Sequence, residues 1–329
     1  MKIRTLIIPM LSTLIMFLYT GCGKYIYDDL EECPQGVNIS FYNQTPCMDE
    51  PGEVGEVAGL HLFAFDLNDK LVKVEKVEGL VDLVKAYKIE LPPVEEGQYS
   101  FIAWAGTATK FFDLSDFVVG TTTKEDVMMA LKLQENKAAA LGDHKVWQGE
   151  SKVIALPDRK EYGTVFADVA INMLEVTNRI HYTLKLHESV CDKLDIDDFE
   201  ITISSANGTS LINGRMPLKQ PRIIYPGTEI ARDDKSVSLD YTLMELKSGY
   251  GNELKVYNKK EDKIYFVQDL LGKVLMENPN VNLECIHDFD IVMEIEDKCA
   301  SCPDNNLVVT IIINDYKIHS FTVELGNKY

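Results

Sequence analysis

Apolar and polar residues alternate with a period of two along most of the chain. Successive side chains of a β-strand point to opposite faces of a sheet, so this pattern predicts strands that each bury one face. Two continuous apolar runs, at 60–65 and 307–313, predict central strands that are covered on both faces. The alternating segments are 37–42, 87–91, 165–173, 179–186, 199–203, 237–243, 289–295 and 321–325.

Turn-forming residues separate these segments. Asp66-Leu67-Asn68-Asp69 predicts a hairpin between two strands, and Asn207-Gly208 and Pro226-Gly227 mark further turns. Many short strands separated by such turns are typical of β-sandwiches, so the pattern predicts an all-β fold class.

The mature chain is too long for a single sandwich, which favours two domains. The least interrupted boundary lies at 174–177, between two long alternating strands. We therefore expect an N-terminal β-sandwich at 36–174 and a C-terminal β-sandwich at 175–329.

Helical signals are sparse, and one of them is ambiguous. Residues 123–141 fit a helix, but their apolar positions also alternate, so a short helix followed by a strand fits equally well. Residues 267–276 give the clearer helix prediction, and the chain should break at Asn278-Pro279.

The composition is that of an ordinary folded protein with a strong acidic excess. Of 329 residues, 46% are hydrophobic, and 52 acidic residues against 33 basic ones give a formal charge of −19. Such a surface repels phosphate backbones, so we expect no nucleic-acid partner.

The amino terminus has the three parts of an export signal. Lys2 and Arg4 precede a mostly apolar run at 6–18, and small residues then lead to Cys22. The run is shorter than the ~20 apolar residues that span a bilayer, which disfavours a transmembrane anchor. Residues 1–21 therefore predict a signal peptide of the lipoprotein type, because the Thr-Gly-Cys ending resembles a bacterial lipobox. Cys22 is the predicted lipidation site.

The residues behind Cys22 lack strand alternation. Residues 22–35 include Asp28, Asp29, Glu31 and Glu32, and they predict an acidic tether. The acidic run also resembles the surface-export signals of lipoproteins in the Bacteroidetes.

Six cysteines remain after Cys22, and an even number in an exported protein predicts disulfides. Cys33 and Cys47 flank one short strand, and we expect them to pair with each other. Cys299 and Cys302 form a CxxC that, with Cys285 and His287, gives a nominal zinc set. Its polar loop and an oxidising compartment favour disulfide chemistry, so Cys299 and Cys302 are further disulfide candidates and no metal is expected. The connectivity of Cys191, Cys285, Cys299 and Cys302 stays open.

Motifs that carry catalysis are missing from the sequence. It contains no Gly-rich phosphate loop after a strand and no HExxH, GxSxG or SxxK. The acidic residues at 192–198 lack the spacing of a calcium loop. We therefore expect no enzyme, no cofactor and no small-molecule substrate.

A family resemblance is carried by the segments 27–38, 41–47, 60–66, 68–72, 97–104 and 177–180. These segments resemble the FimB/Mfa-type fimbrial anchor lipoproteins of the Bacteroidales. The resemblance covers nearly the whole mature chain and is strongest over 22–104. It implies two tandem transthyretin-like Greek-key β-sandwich domains with few short helices, attachment to the outer membrane, and a position at the base of a fimbrium.

These observations predict a surface-exposed structural lipoprotein of the cell outer membrane and fimbrium. It would anchor or cap a pilus by strand-mediated contact with pilin subunits, because an open sheet edge offers unpaired backbone groups, and it would serve cell adhesion. The sequence from Cys22 to Asp158 contains no arginine, so an Arg-directed cut would leave the lipid joined to the fold. A surface glycan-binding lipoprotein and a tip or stalk subunit are the alternatives.

Overall fold

The computed structural model describes residues 33–91, 97–297 and 306–324, and it confirms the all-β class. The predicted signal peptide, Cys22, Cys299 and Cys302 lie outside the described residues. The strands are β1 (Gln35–Tyr42), β2 (Glu56–Asp66), β3 (Leu71–Asp82), β4 (Tyr87–Leu91), β5 (Gly97–Ala105), β6 (Phe112–Leu114), β7 (Met128–Leu131), β8 (Leu133–Gln134), β9 (Lys137–Ala138), β10 (Trp147–Glu150), β11 (Ile154–Leu156), β12 (Val165–Asn172), β13 (Leu174–Glu175), β14 (Thr177–Leu186), β15 (Phe199–Ser205), β16 (Thr209–Leu211), β17 (Ile223–Tyr225), β18 (Thr228–Arg232), β19 (Ser236–Met244), β20 (Glu253–Asn258), β21 (Lys263–Asp269), β22 (Asp288–Asp297), β23 (Asn306–Ile313) and β24 (Tyr316–Glu324).

Helical segments within the described ranges are short. A single turn, α1, spans Arg159–Tyr162, and a 3-10 turn spans Ile196–Asp198. A π-helical turn at Leu270–Val274 continues into a 3-10 turn at Leu275–Glu277.

The strands of the described residues form five sheets, numbered here 1 to 5. Sheet 1 has the order β12-β1-β4. Sheet 2 has the order β13-β10-β5-β2-β3, with β11 also on β5. Sheet 3 is β18-β19-β14-β22-β23-β24, sheet 4 is β21-β20-β15-β17-β9-β8, and sheet 5 is β16-β7-β6.

Sheet 1 packs on one face of sheet 2. Alternate residues of β1, such as Val37 and Ile39, are fully buried against residues of β2 and β5 such as Leu62 and Phe101. The other face of sheet 2 is also buried, because Phe63 belongs to a second cluster. The apolar run at 60–65 is therefore a strand covered on both faces, as predicted.

The second cluster extends from sheet 2 into the core between sheets 3 and 4. Tyr182 and Ile291 contribute from sheet 3, and Ile203 and Val256 contribute from sheet 4. The Tyr241 hydroxyl donates to the Ile201 carbonyl at 3.0 Å, which ties the two sheets together.

Strands from both sides of residue 174 share sheets. β16 pairs with β7, and Ile224 of β17 pairs with Lys137 of β9. The Trp104 indole N–H also donates to the Ile212 carbonyl at 2.6 Å. The two halves are therefore joined by backbone pairing and by a continuous apolar core, while the division at 174 stays a prediction.

The helix predictions are corrected in part. No helix forms within 123–141, because β7 pairs with β6 and β8 pairs with β9, so the helix in both alternatives is wrong and only the strand of the second one is present. The predicted helix at 267–276 begins only at Leu270, since β21 continues to Asp269, and it ends before Asn278. The Asp269 carboxylate caps its start by accepting from the Leu271 N–H.

The hairpin predicted at Asp66–Asp69 joins β2 to β3. The Asp66 carboxylate accepts from the backbone N–H groups of Asn68 and Lys70 at 2.8 and 2.9 Å. Asp69 has a φ of 57°, a conformation that aspartate adopts more readily than most residues.

Candidate functional site

The described chain begins at Cys33, close to the start of β1. Cys33 is 1% exposed and disulfide-bonded. β1 is the middle strand of sheet 1, paired in parallel with β12 and antiparallel with β4. A Cβ on Gly36 would lie 1.9 Å from the Ile89 carbonyl oxygen, so only glycine allows this close pairing. Any pull on the preceding residues would load the centre of a sheet.

A disulfide joins Cys47, in the loop after β1, to Cys285, in the loop before β22. The predicted pairing of Cys33 with Cys47 is therefore wrong, because Cys47 reaches a partner that only the tertiary fold brings close. The Cys285 sulfur needed by the nominal zinc set is used in this bond. Cys191 is a free, half-buried thiol.

A charged cluster lies close to the boundary between the halves. The Arg179 guanidinium contacts the Glu175 carboxylate, whose side chain is 5% exposed, and donates to the Asp288 carboxylate at 2.5 and 2.8 Å. The hydrogen bonds from Arg179 lower the pKa of Asp288. The cluster holds the start of β14 to the start of β22.

A groove of about 960 Å³ runs along the junction of the two halves. Residues 45 and 46, just before Cys47, contribute to its wall. The His287 Nδ1 atom is buried and makes no hydrogen bond within the described residues. Apolar side chains line part of the groove, among them Leu174, Val176, Leu246, Leu271, Met276 and Leu283, and the other lining residues are mostly polar or charged.

Sheet 3 ends in β18 on one side and β24 on the other, and each pairs with a single strand in the described ranges. β18 is five residues long, carries Glu229 and Arg232, and has a bulge between Glu229 and Ala231. Short, charged and bulged edges resist pairing with another chain. β24 is nine residues long and pairs with β23 along its length, so its outer edge is the better site for strand addition.

Both tryptophans are buried. Trp104 is 1% exposed and Trp147 is 9% exposed, and they belong to the two apolar clusters. A sugar-binding platform needs exposed aromatic faces, so neither tryptophan supplies the feature that the glycan-binding alternative requires.

The acidic residues at 192–198 have structural partners. Asp195 caps the 3-10 turn at Ile196–Asp198, and Asp197 pairs with Arg232 at 2.5 Å.

Within the described ranges, no helix has the length and apolarity needed to cross a bilayer.

Comparison with known proteins identifies one family. A model of the fimbrillin-A associated anchor proteins Mfa1 and Mfa2 matches residues 30–320. The minor fimbrium anchoring subunit Mfa2 of Porphyromonas gingivalis is 33% identical to this chain over 331 residues, which cover 99% of this chain and 98% of that protein.

Solved structures agree with that match. The fimbrial anchor protein Mfa2 from Porphyromonas gingivalis superposes with a TM-score of 0.75 at 30% identity, covering 88% of this chain and 100% of the other. A candidate polysaccharide-binding protein from Bacteroides thetaiotaomicron has a TM-score of 0.66 at 20% identity, covering 89% of this chain and 99% of the other. At that identity, the second likeness concerns the fold alone.

Proposed function

This chain belongs to the family of fimbrillin-A associated anchor proteins, and from that premise we propose that it is a non-enzymatic fimbrial subunit held at the outer membrane by a lipid on Cys22. Its relative in Porphyromonas gingivalis is named as a fimbrium anchoring subunit. The predicted signal peptide and tether place the lipid close in sequence to the fold, so the anchor and the structural subunit are one covalent chain.

The position of β1 is the observation that carries this proposal. A fimbrium pulls on its anchor, and the tether delivers that load to the first strand. β1 is paired on both sides over five to eight residues, and its Gln35 amide also donates to the Gly163 carbonyl at 2.8 Å. Extracting β1 would break two backbone ladders together and open a buried core, which suits a subunit that must stay attached.

The distribution of arginine favours an anchor over a stalk subunit. The first arginine after Cys22 is Arg159, and it is 7% exposed within the turn α1. An Arg-directed protease would have to open the fold to reach it. A purified stalk fraction containing this protein with an amino terminus inside residues 40–60 would contradict the anchor proposal.

Replacing Cys22 with serine should remove the protein from the membrane fraction. A thiol that carries acyl chains gains about 0.8 kcal/mol for each buried CH₂ group, and serine cannot take the lipid through a thioether. The measurement is flotation of membranes on a density gradient, together with mass spectrometry of the amino-terminal peptide.

Cys191→Ser is the matched control, because it removes the free thiol of the described residues and leaves the predicted lipidation site intact. Unchanged flotation of the Cys22→Ser variant would refute lipid anchoring. A fimbrial preparation that retains the wild-type protein with acylated Cys22 would support both parts of the proposal.

We place the pilin contact on the outer edge of β24. Neighbouring residues of an edge strand direct their N–H groups to opposite sides, one to the paired strand and one to the open edge. Ser320→Pro and Phe321→Pro therefore form a matched pair, since proline removes an N–H group in both. The variant that loses the outward N–H should keep its thermal midpoint and lose pilin binding in a pull-down with purified pilin. Equal pilin binding by both folded variants would place the contact elsewhere.

A further inference from the structure

Four exposed apolar side chains lie on two adjoining loops at one end of the N-terminal half. Phe117, Val118 and Val119 are consecutive and 37%, 63% and 54% exposed, and Leu67 at the tip of the β2–β3 hairpin is 66% exposed. We call these four residues the apolar patch. Single exposed apolar residues are common, but three in sequence beside a fourth are unusual unless they have a function.

Backbone hydrogen bonds hold the patch in one piece. The Gly120 N–H donates to the Leu71 carbonyl at 2.7 Å, and the Leu71 N–H donates to the Thr122 carbonyl at 2.8 Å. The Thr122 hydroxyl accepts from the Val118 N–H at 2.7 Å. The loop that carries the three consecutive apolar residues is thereby fixed against the hairpin that carries Leu67.

The patch lies at the end of the molecule where the chain enters the fold. In sheet 2, Asp66 pairs with Tyr99, and nearby Gly97 pairs with Leu156. The chain then passes through α1 to Val165, which pairs with Gln35 at the start of β1. The hairpin tip and the first residue of β1 therefore lie at the same pole.

The charge around the patch is nearly balanced. Residues 66–70 and 115–124 contain three aspartates and two lysines, whereas the whole chain has a formal charge of −19. Lys124 pairs with Asp69 at 3.0 Å and with Glu150 at 2.7 Å. This surface can approach a lipid headgroup layer with less electrostatic cost than the rest of the protein.

We propose that the apolar patch rests in the headgroup layer of the membrane that holds Cys22. This inference depends on the proposed lipid anchor, because the tether supplies the proximity. Cys33 lies eleven positions after Cys22, and at up to ~3.6 Å per position this stretch of chain reaches no more than about 40 Å. The pole is therefore confined close to the bilayer, where interfacial burial of its apolar side chains is favourable.

The test uses the lipidated full chain in phosphatidylcholine vesicles whose acyl chains carry bromine, a quencher of indole fluorescence. Leu67→Trp places an indole in the patch. Leu80→Trp is the matched control, because Leu80 is 74% exposed on the same hairpin and pairs with Ala58, about 25 Å along the strands from the tip. Trp104 and Trp147 give the same buried background in both variants.

We expect emission from the indole at position 67 to fall about two-fold in brominated vesicles, with no change for position 80. Adding Val118→Asp should reverse most of that quenching. Equal quenching at both positions, or none at either in protein that floats with the vesicles, would overturn the patch proposal and leave the lipid anchor intact, with the patch then free for a protein partner. Failure of the wild-type protein to float would refute the anchor, and with it this inference.

Discussion

Replacing both Cys47 and Cys285 with serine is expected to lower the free energy of unfolding by about 3–5 kcal/mol. The bond joins residues separated by 238 positions, so it removes a large part of the conformational freedom of the unfolded chain. It also ties the loop after β1 to the loop before β22, and both loops border the groove between the halves.

Urea unfolding followed by intrinsic fluorescence measures this change as a shift of the midpoint. Cys191→Ser is the control, because this half-buried thiol is free and its replacement breaks no disulfide. We expect the control to stay close to the wild type. A double-serine variant with the wild-type urea midpoint would show that the disulfide does not contribute to the free energy of unfolding.

Acidification from pH 6.5 to pH 4 is expected to lower the free energy of unfolding by about 3 kcal/mol through His61 alone. His61 lies in β2 and is 4% exposed. Burial, with a further contribution from the positive charge of Lys76, lowers the pKa of His61 to about 4. The unfolded chain, with a pKa of 6.5, binds the proton first, so stability is complete above pH 6.5 and is lost as the pH falls towards 4.

The surroundings of His61 explain why it stays neutral. Its Nδ1 atom lies 2.8 Å from the Thr107 hydroxyl, which is also 3.3 Å from the Trp104 carbonyl oxygen. The hydroxyl donates to that carbonyl, so it accepts from the imidazole. The neutral His61 ring therefore carries its proton on Nδ1. A second proton would place a positive charge on a buried side chain of sheet 2, where the positive charge of Lys76 also opposes it.

Thermal unfolding at pH 7, 5.5 and 4 compares the wild type with His61→Gln, which keeps a donor and cannot ionise. We expect the free energy of unfolding of the variant to fall less steeply than that of the wild type, by about 1 kcal/mol per pH unit averaged between pH 6.5 and 4. His187→Gln is the matched control, because His187 is exposed and its ring lies within hydrogen-bond distance of the nearby Ser189 hydroxyl. Parallel curves for the wild type and His61→Gln would contradict the prediction.

Strands were predictable because the alternation of side chains is a local property. The burial pattern of β22, in which Phe289, Ile291 and Met293 are buried and their neighbours are not, can be recognised from the residue types alone. The apolar run in β2 likewise indicates burial on both faces. The family resemblance rests on similar local segments, and the comparisons confirm it.

The segment at 123–141 shows where local reasoning fails. Its alanine-rich end fits a helix by intrinsic preference, but β9 is held by β17, a strand almost ninety positions later in the chain. The groove at the junction and the apolar patch were also invisible in the sequence, because they depend on which loops meet at one end of the fold.

The sequence by itself determined the strand-forming segments, the all-β class and the family, because each depends on the order of neighbouring residues. It also carries the signals from which the lipid anchor is proposed. Only the tertiary structure decided that Cys47 pairs with Cys285, that β1 is a central strand, and that His61 is enclosed. These features join residues far apart in the chain, and their pairing follows from the packing of whole sheets, which no local pattern records.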